Sequence, residues 1–483
     1  MHFSKFNDKI FQKMIEMHIK DFNGYLDFHN ETFPFTFKKD TLTIIPPSIE
    51  KWNEFYNEWF HHDFNNNSKN KWLEKIIIDG VTDNHNGVKF FVTDSPAYFN
   101  GYYSYKVNYL YIYDYKSGTN DMYEIKGIRF KGPECNYLYN VRNYINQDFE
   151  TKDNRFNKFS LELLSKEDEN FGKFSWYNYS VSVNGSFSWK KDNGTYSPLE
   201  INSLIILELS RTCNDLDKLL ELIYIQRTIL TFCAYRKNIT FKEIDTYAYT
   251  DDKLTRKVGN FYIFDDKEAE SDIKHLKQIV DFKGTGKSIS KLYKLVLDGK
   301  IYTTHIPQNF IMRNSYFPAR MLSILIAFEH TYKTIYKDVL LSNEDFAFVK
   351  KKTIEFLDNQ ISVNTGKLKK KFKGMKNSIS KTDLGYGEYL KYALNNNLDV
   401  LESFIKKRYR VKNANPIITA CSERTNKIRN SMAHGTLDIN FKPINSNDIY
   451  LIELLLYSMV LKYIGLDKKI IEDKIKQLFN LYL

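Results

Sequence analysis

Cysteine is scarce in this chain and scattered: four in 483 residues, at Cys135, Cys213, Cys233 and Cys421, with no CxxC pair. That excludes a disulfide-stapled secreted scaffold and fits a reducing compartment. Long apolar runs are missing too. The most apolar stretch, Tyr450 to Leu466, is interrupted by Glu453 and Lys462, and a bilayer span needs about 20 uninterrupted residues. The opening MHFSKFNDKIFQKMIEM carries charges where a signal peptide has an apolar core. The expectation is therefore a cytoplasmic protein without membrane association. No internal repeat is visible. With 42% hydrophobic and 27% charged residues the chain is globular rather than disordered.

Motifs for metals and nucleotides are also wanting. DFKGTGKS, Asp281 to Ser288, ends like a phosphate-binding loop, but Asp281 stands where the pattern requires glycine, and a carboxylate there repels phosphate. His61, His62 and Asp63 have no HExxH or cysteine partner, and adjacent side chains diverge in direction. No cofactor and no metal are expected.

What is there is positive charge, unevenly placed. Residues 1–300 carry 41 Lys and Arg against 42 Asp and Glu; residues 301–483 carry 29 against 17. The whole excess of +11 thus belongs to the last part of the chain, which points to a polyanionic partner, either nucleic acid or an acidic membrane surface. The two densest runs are KLKKKFKGMK, with Lys369, Lys370 and Lys371, and KKRYRVK, with Lys406, Lys407 and Arg408. These six residues are candidate contacts to an RNA backbone.

The hydrophobic period divides the chain at the same place. Residues 1–23 place Phe6, Ile10, Met14 and Met17 at helical spacing. From about Tyr25 to Ser210 the pattern alternates: Asn86-Gly87 and Asn184-Gly185 read as hairpin turns, and Val107, Tyr109, Tyr111, Tyr113 and Tyr115 as a strand packed through its aromatic rings. Leu216–Ala234 and Lys267–Val280 read as helices, with short strands at Ile239–Phe241 and Phe261–Phe264. From Pro318 on the period is helical almost throughout, apart from Ser362–Lys381, whose Lys, Gly, Asn and Ser content reads as a loop. The reading is α+β: a β-rich region with a few helices over 1–300, then an all-α domain over 301–483.

The stretch that carries chemistry is NPIITACSERTNKIRNSMAHGTL, Asn415 to Leu437. Asn415 and Pro416 open a helix, Gly435 closes it, and Ile417, Cys421, Ile428 and Met432 line one face. Asn430 and His434 share a face; Arg429 and His434 are separated by about 140° on an ideal helix, within the reach of the long arginine. RNA cleavage without a metal needs a base at the 2′-OH, a proton for the leaving 5′-oxygen and positive charge at the phosphorane. Histidine titrates near neutrality and can move either proton; arginine grips phosphate oxygens; asparagine can orient either partner. On spacing alone, Arg429 as a surface residue and His434 as a helix cap remain open.

Arg429 to His434, R-N-S-M-A-H, late in a basic helical domain, resembles the R-N-x3-H form of the Rx4-6H signature of HEPN domains, helical bundles many of which are metal-independent ribonucleases. Ala319 to Tyr336, ARMLSILIAFEHTYKTIY, is similar to the early helix of HEPN domains in ApeA-like anti-phage proteins, and Glu329 matches their glutamate. The layout of a β-rich region before the bundle resembles that family as well. The resemblance implies an endoribonuclease of abortive infection acting on RNA, tRNA among the candidates, with His434 as acid/base, Arg429 as phosphate clamp, Asn430 as positioning residue and Glu329 as a residue orienting His434 or Arg429. It also implies a phage-derived trigger sensed by the β-rich region. Only His305, His330 and His434 occur in the helical domain. Neither of the other two has a setting comparable to His434, so the simplest way to place two imidazoles around one phosphorane is a two-fold dimer, which the resemblance also implies; a homodimer, or a higher assembly built from it, is expected through Pro416–His434. Glu329 could instead pair with Lys333 one turn on, and His330 is expected to pack. The rival reading is a non-catalytic RNA- or protein-binding module with a degenerate bundle.

Overall fold

The computed structural model describes residues 21–28, 31–45, 48, 50, 53, 76–92, 97–99, 102–116, 118–152, 155–163, 168–191, 199–250, 254–265, 267–336, 344–380, 385–433 and 443–481. The N-terminal helical pattern up to residue 20 and the His61-His62-Asp63 group lie outside them. The architecture is α+β, a β-rich N-terminal region followed by a helical one. One unit comprises Met1–Asp298, Ile306–Arg313 and Gln477–Phe479, the other Gly299–His305, Asn314–Lys476 and Asn480–Leu483.

The first unit is built on antiparallel pairing. Strands β1 (Phe22–Phe28), β2 (Glu31–Lys38), β3 (Thr41–Ile44), β4 (Ile76–Thr82), β5 (Gly87–Val92) and β7 (Tyr102–Tyr113) pair in the order β7-β3-β2-β1-β4-β5, and β5 returns to β7 to close a six-stranded barrel. The two-residue period explains its filling: Phe33, Phe35 and Phe37 alternate inward from β2 and meet Leu26, Ile78, Phe90 and Val107. β6 (Ala97–Phe99) lies along β7. Strand β7 also joins the barrel to the rest of one continuous sheet, because β15 (Thr255–Ile263) pairs with its second half. From there the sheet continues through β14 (Glu243–Tyr249), β8 (Ile125–Lys131), β13 (Leu199–Cys213), β12 (Tyr179–Lys191) and β11 (Glu169–Trp176). Tyr111 stacks on Phe261 at 4.4 Å and is fully buried, so this part of the tyrosine alternation packs strands together. β9 (Ile145–Lys152) and β10 (Arg155–Leu163) form a separate hairpin.

Both glycine turns depart from expectation. Between β4 and β5 it is His85 that takes the left-handed conformation (φ 62°), while Gly87 is already in the strand, where a Cβ would lie 2.2 Å from the Tyr113 ring. Asn184-Gly185 is not a turn at all. β12 runs straight through it, and Gly185 admits the rings of Phe171 and Tyr139, which a Cβ would meet at 2.9 Å. A glycine needed for close approach reads like a glycine needed for a turn.

Helix α1 (Pro133–Leu138) carries the buried Glu134, whose Oε1 lies 2.6 Å from Arg236 Nη2. α2 (Leu216–Ala234) starts at Asp215, which accepts from Lys218 N, and packs on α4 (Ile289–Leu297). The helix expected over Lys267–Val280 is only the single turn α3 (Ile273–Leu276), and Ile239–Phe241 is irregular, the next strand beginning at Glu243. The phosphate-loop look-alike is a packed corner in which Asp281 accepts from Lys283 N and Gly172 lies against Ser290.

The second unit is helical: α5 (Pro318–Ile335), α6 (Glu344–Val363), α7 (Gly366–Ser380), α8 (Tyr386–Asn396), α9 (Leu398–Tyr409), α10 (Asn415–Ala433), α11 (Pro443–Tyr463) and most of α12 (Lys468–Phe479). α11 is buried along nearly its whole length from Ile449 and packs against α5, α9 and α10, as a helix apolar on every side must. Its two buried acids are paired. Glu453 receives Arg320 Nη2 at 2.8 Å and the Tyr316 hydroxyl at 2.6 Å; Asp448 receives Arg424 Nε at 2.6 Å, Arg424 Nη2 at 2.8 Å and the Tyr409 hydroxyl at 2.7 Å. The loop expected at Ser362–Lys381 is mostly helix α7. Its Leu368, Phe372, Met375 and Ile379 recur at helical spacing behind the lysine-rich composition. Among the described residues no helix is long and apolar enough to cross a membrane.

Candidate active site on helices 5 and 10

Helix α10 owes its placement to one apolar face and one polar clamp. Ile418, Cys421, Thr425, Ile428 and Met432 are buried, with Ile418 taking the place expected of the half-buried Ile417. Asn415 is the first helical residue rather than the cap, and its N–H bonds to Asn413 Oδ1 at 3.0 Å. The clamp is Arg424 on Asp448, which fixes α10 against α11 and α9 five residues before Arg429.

Arg429 follows the buried Ile428 and so emerges at the margin of the core. Its Nη2 lies 2.9 Å and its Nε 3.1 Å from Glu329 Oε1 on α5. Glu329 therefore pairs with Arg429 rather than with Lys333, and its Oε2 makes no hydrogen bond among the described residues. The Arg429 side chain remains 37% exposed, enough for its outer edge to meet a phosphate. Asn430, fully at the surface, places Oδ1 3.5 Å from Arg429 Nη1. Arg429, Asn430 and Glu329 are thus brought together; His434 lies outside the described residues, directly after Ala433 at the end of α10.

Beneath this group is a residue the sequence reading missed. Tyr386, at the start of α8, is buried against Phe328 (ring centroids 5.3 Å). Burial raises its hydroxyl well above the usual phenol range, with Cys421 and Glu329 raising it further and Arg429 pulling the other way. The hydroxyl has no hydrogen-bond partner among the described residues. Nothing in the local pattern around Gly385-Tyr386-Gly387 sets this tyrosine apart from its neighbours. Asp448 did leave a signal, since an acid at the edge of the apolar run at Tyr450–Leu466 demands a partner. His330 packs as expected: it lies 5.8 Å from the Tyr302 ring, and burial holds its pKa below 6.5.

The basic runs sit apart from the group. Lys369, Lys370 and Lys371 are on α7, and none of them bonds to Arg429, Asn430 or Glu329. Lys406, Lys407 and Arg408 form the last turn of α9, where cations suit the helix dipole; Lys406 pairs with Glu402 at 2.7 Å and Arg408 donates to Asn447 at 2.9 Å. All four cysteines are buried thiols, and no cluster of metal-ligating side chains occurs among the described residues. No family model matches the chain, and neither curated proteins nor solved structures give a significant match.

Proposed function

We propose that the chain is a cytoplasmic, metal-independent endoribonuclease of the HEPN type, acting as a homodimer in anti-phage defence. The observation that carries this is the Arg429–Glu329 pair: an arginine held at the core margin by one carboxylate oxygen, still accessible, beside the exposed Asn430 and five residues before His434 in sequence. With its side chain 37% exposed, Arg429 can present its outer edge to a phosphate while Glu329 holds the inner one.

In the proposed reaction a base, His434 of one protomer, removes the 2′-OH proton, and the 2′-oxygen attacks phosphorus. The P–O5′ bond breaks, the imidazolium of the partner's His434 protonates the leaving oxygen, and a 2′,3′-cyclic phosphate and a 5′-OH remain. Arg429 balances the charge that builds on the phosphorane, Glu329 fixes its direction, and Asn430 positions the phosphate. Lys369–Lys371 and Lys406–Arg408 hold the RNA backbone. The β-rich unit is the seat of the sensor for a phage-derived trigger.

The test is incubation of the purified chain with total RNA in excess EDTA beside His434→Ala. Cleavage by the wild type alone supports the reading. Equal cleavage, or none by either with and without added divalent metal, supports the rival binding module.

A further inference from the structure

The hairpin of α6 and α7 packs chiefly on itself and leaves large apolar side chains in solvent: Val349 is 58% exposed, Phe356 57%, Val363 74%, Leu368 49% and Met375 54%. Their spacing is regular. Val349, Phe356 and Val363 are seven apart, as are Leu368 and Met375. Two exposed stripes of the same period on one hairpin are not the scattered apolar residues of an ordinary surface.

Helix geometry shows that the stripes share a face. At about 100° per residue, Leu357, the one buried residue of α6 among the described side chains, points at α7. The α6 stripe lies about 100° to one side of Leu357 and Asp358 about 100° to the other. In α7 the half-buried Phe372 and Ile379 point at α6; Leu368 and Met375 lie about 40° to one side of them and Lys376 about 50° to the other. Lys376 and Asp358 form an ion pair at 2.5 Å, so those two flanks meet on one face. The apolar flanks must then meet on the opposite face, forming a trough whose α6 wall runs about 21 Å and whose α7 wall runs about 10 Å.

The rim of the trough is basic. Lys352, which covers the Phe348 ring at 4.4 Å, borders it on α6, and Lys371 and Lys367 border it on α7. Of the acids with described side chains, Asp358 is on the other face and Glu355 on the outer side of α6. The seven-residue spacing of Val349, Phe356 and Val363, matched by the single interval Leu368–Met375 across the trough, is the packing period of a third helix laid lengthwise, and lysine rims select acidic flanks. A second copy of the hairpin would bring lysine against lysine.

We propose that the α6–α7 trough is the docking site for an amphipathic helix of a partner protein, apolar on one side and flanked by Asp or Glu. This surface uses none of Arg429, Asn430, His434 or Glu329 and shares only Lys371 with the proposed RNA contacts, so peptide binding is read without RNA and its failure leaves the ribonuclease reading standing.

The probe is a fluorescein-labelled synthetic helix of 21 residues with leucine at a and d and glutamate at e and g, read by anisotropy against the intact chain without RNA. The same peptide with lysine at e and g is the control. The expected result is at least tenfold tighter binding of the glutamate peptide, weakening with salt and lost in Phe356→Ser/Val363→Ser. Lys367→Glu/Lys371→Glu, which touches no apolar contact, should reverse the preference toward the lysine peptide. Equal binding of both peptides, or of neither, overturns the proposal. So does sedimentation of the chain with phosphatidylglycerol vesicles that the serine variant abolishes, which would make the face a lipid contact. Self-association that the serine variant abolishes would make it a dimer interface and would equally overturn the proposal.

Discussion

Arg429 and Glu329, a hundred residues apart in sequence, meet through a single oxygen: Nη2 and Nε of the guanidinium both approach Glu329 Oε1, at 2.9 and 3.1 Å. The arginine is aimed without being consumed. Arg429→Ala should lower RNA cleavage by about 100-fold or more, the usual loss when a charge acting on the transition state is removed. Arg429→Lys should recover little of it, because an ammonium cannot serve Glu329 and a phosphate in one plane. Glu329→Gln keeps an acceptor and should fall between the two. Rates measured at matched helicity by circular dichroism decide this, and activity in Arg429→Ala near that of the wild type would remove the residue from the mechanism.

The clamp under the site should be a matter of stability. Asp448 is fully buried and takes two bonds from Arg424 and one from Tyr409. Asp448→Ala strands both partners and should cost about 3 kcal/mol or more in urea unfolding. Asp448→Asn retains an acceptor and should cost less. Equal stability of all three forms would show that α10 is held by its apolar face alone.

His330 gives the helical unit a pH dependence. Burial lowers its pKa below 6.5, so the folded state favours the neutral ring and the unfolded state binds the proton more readily. The stability contribution is present above pH 6.5 and is lost progressively as the pH falls from there through the lower folded value. The urea midpoint of the wild type should drop between about pH 7.5 and about pH 5.5, and His330→Gln should flatten that part of the profile. An unchanged slope in the variant would contradict the assignment.

Two of the three residues the structure gathers at the site could be read from the short string at Arg429–Asn430, and Glu329 from a likeness over α5. Their juxtaposition could not, since it depends on how α5 and α10 pack. The β-rich and helical halves were legible because periods of two and 3.6 separate cleanly in β2 and α11. The failures have local causes. Gly87 and Gly185 sit in strands where an aromatic ring takes the space of a side chain. Leu368, Phe372, Met375 and Ile379 make a helix of a segment whose composition suggests a loop. The barrel closure by β5 on β7 has no local signature at all; it is a pairing of Gly87–Phe91 with Tyr109–Tyr113 that shifts register at a bulge between Phe91 and Val92.

In the proposed reaction each chain supplies one His434 and one Arg429, and the proposal therefore pairs two chains about a two-fold axis through α10. Mixing an excess of His434→Ala with wild type under exchanging conditions should lower activity per wild-type chain as mixed dimers form. Constant activity, or an active monomer in sedimentation, would show that each chain works alone.

The most direct measurement is the chemistry of the cut ends. An end-labelled RNA is incubated with the chain in excess EDTA, and the product termini are identified by mass. Attack by the 2′-oxygen predicts a 2′,3′-cyclic phosphate on one fragment and a 5′-OH on the other, both absent with His434→Ala. Ends bearing 5′-phosphate, or cleavage that appears only when Mg²⁺ or Mn²⁺ is restored, would contradict it.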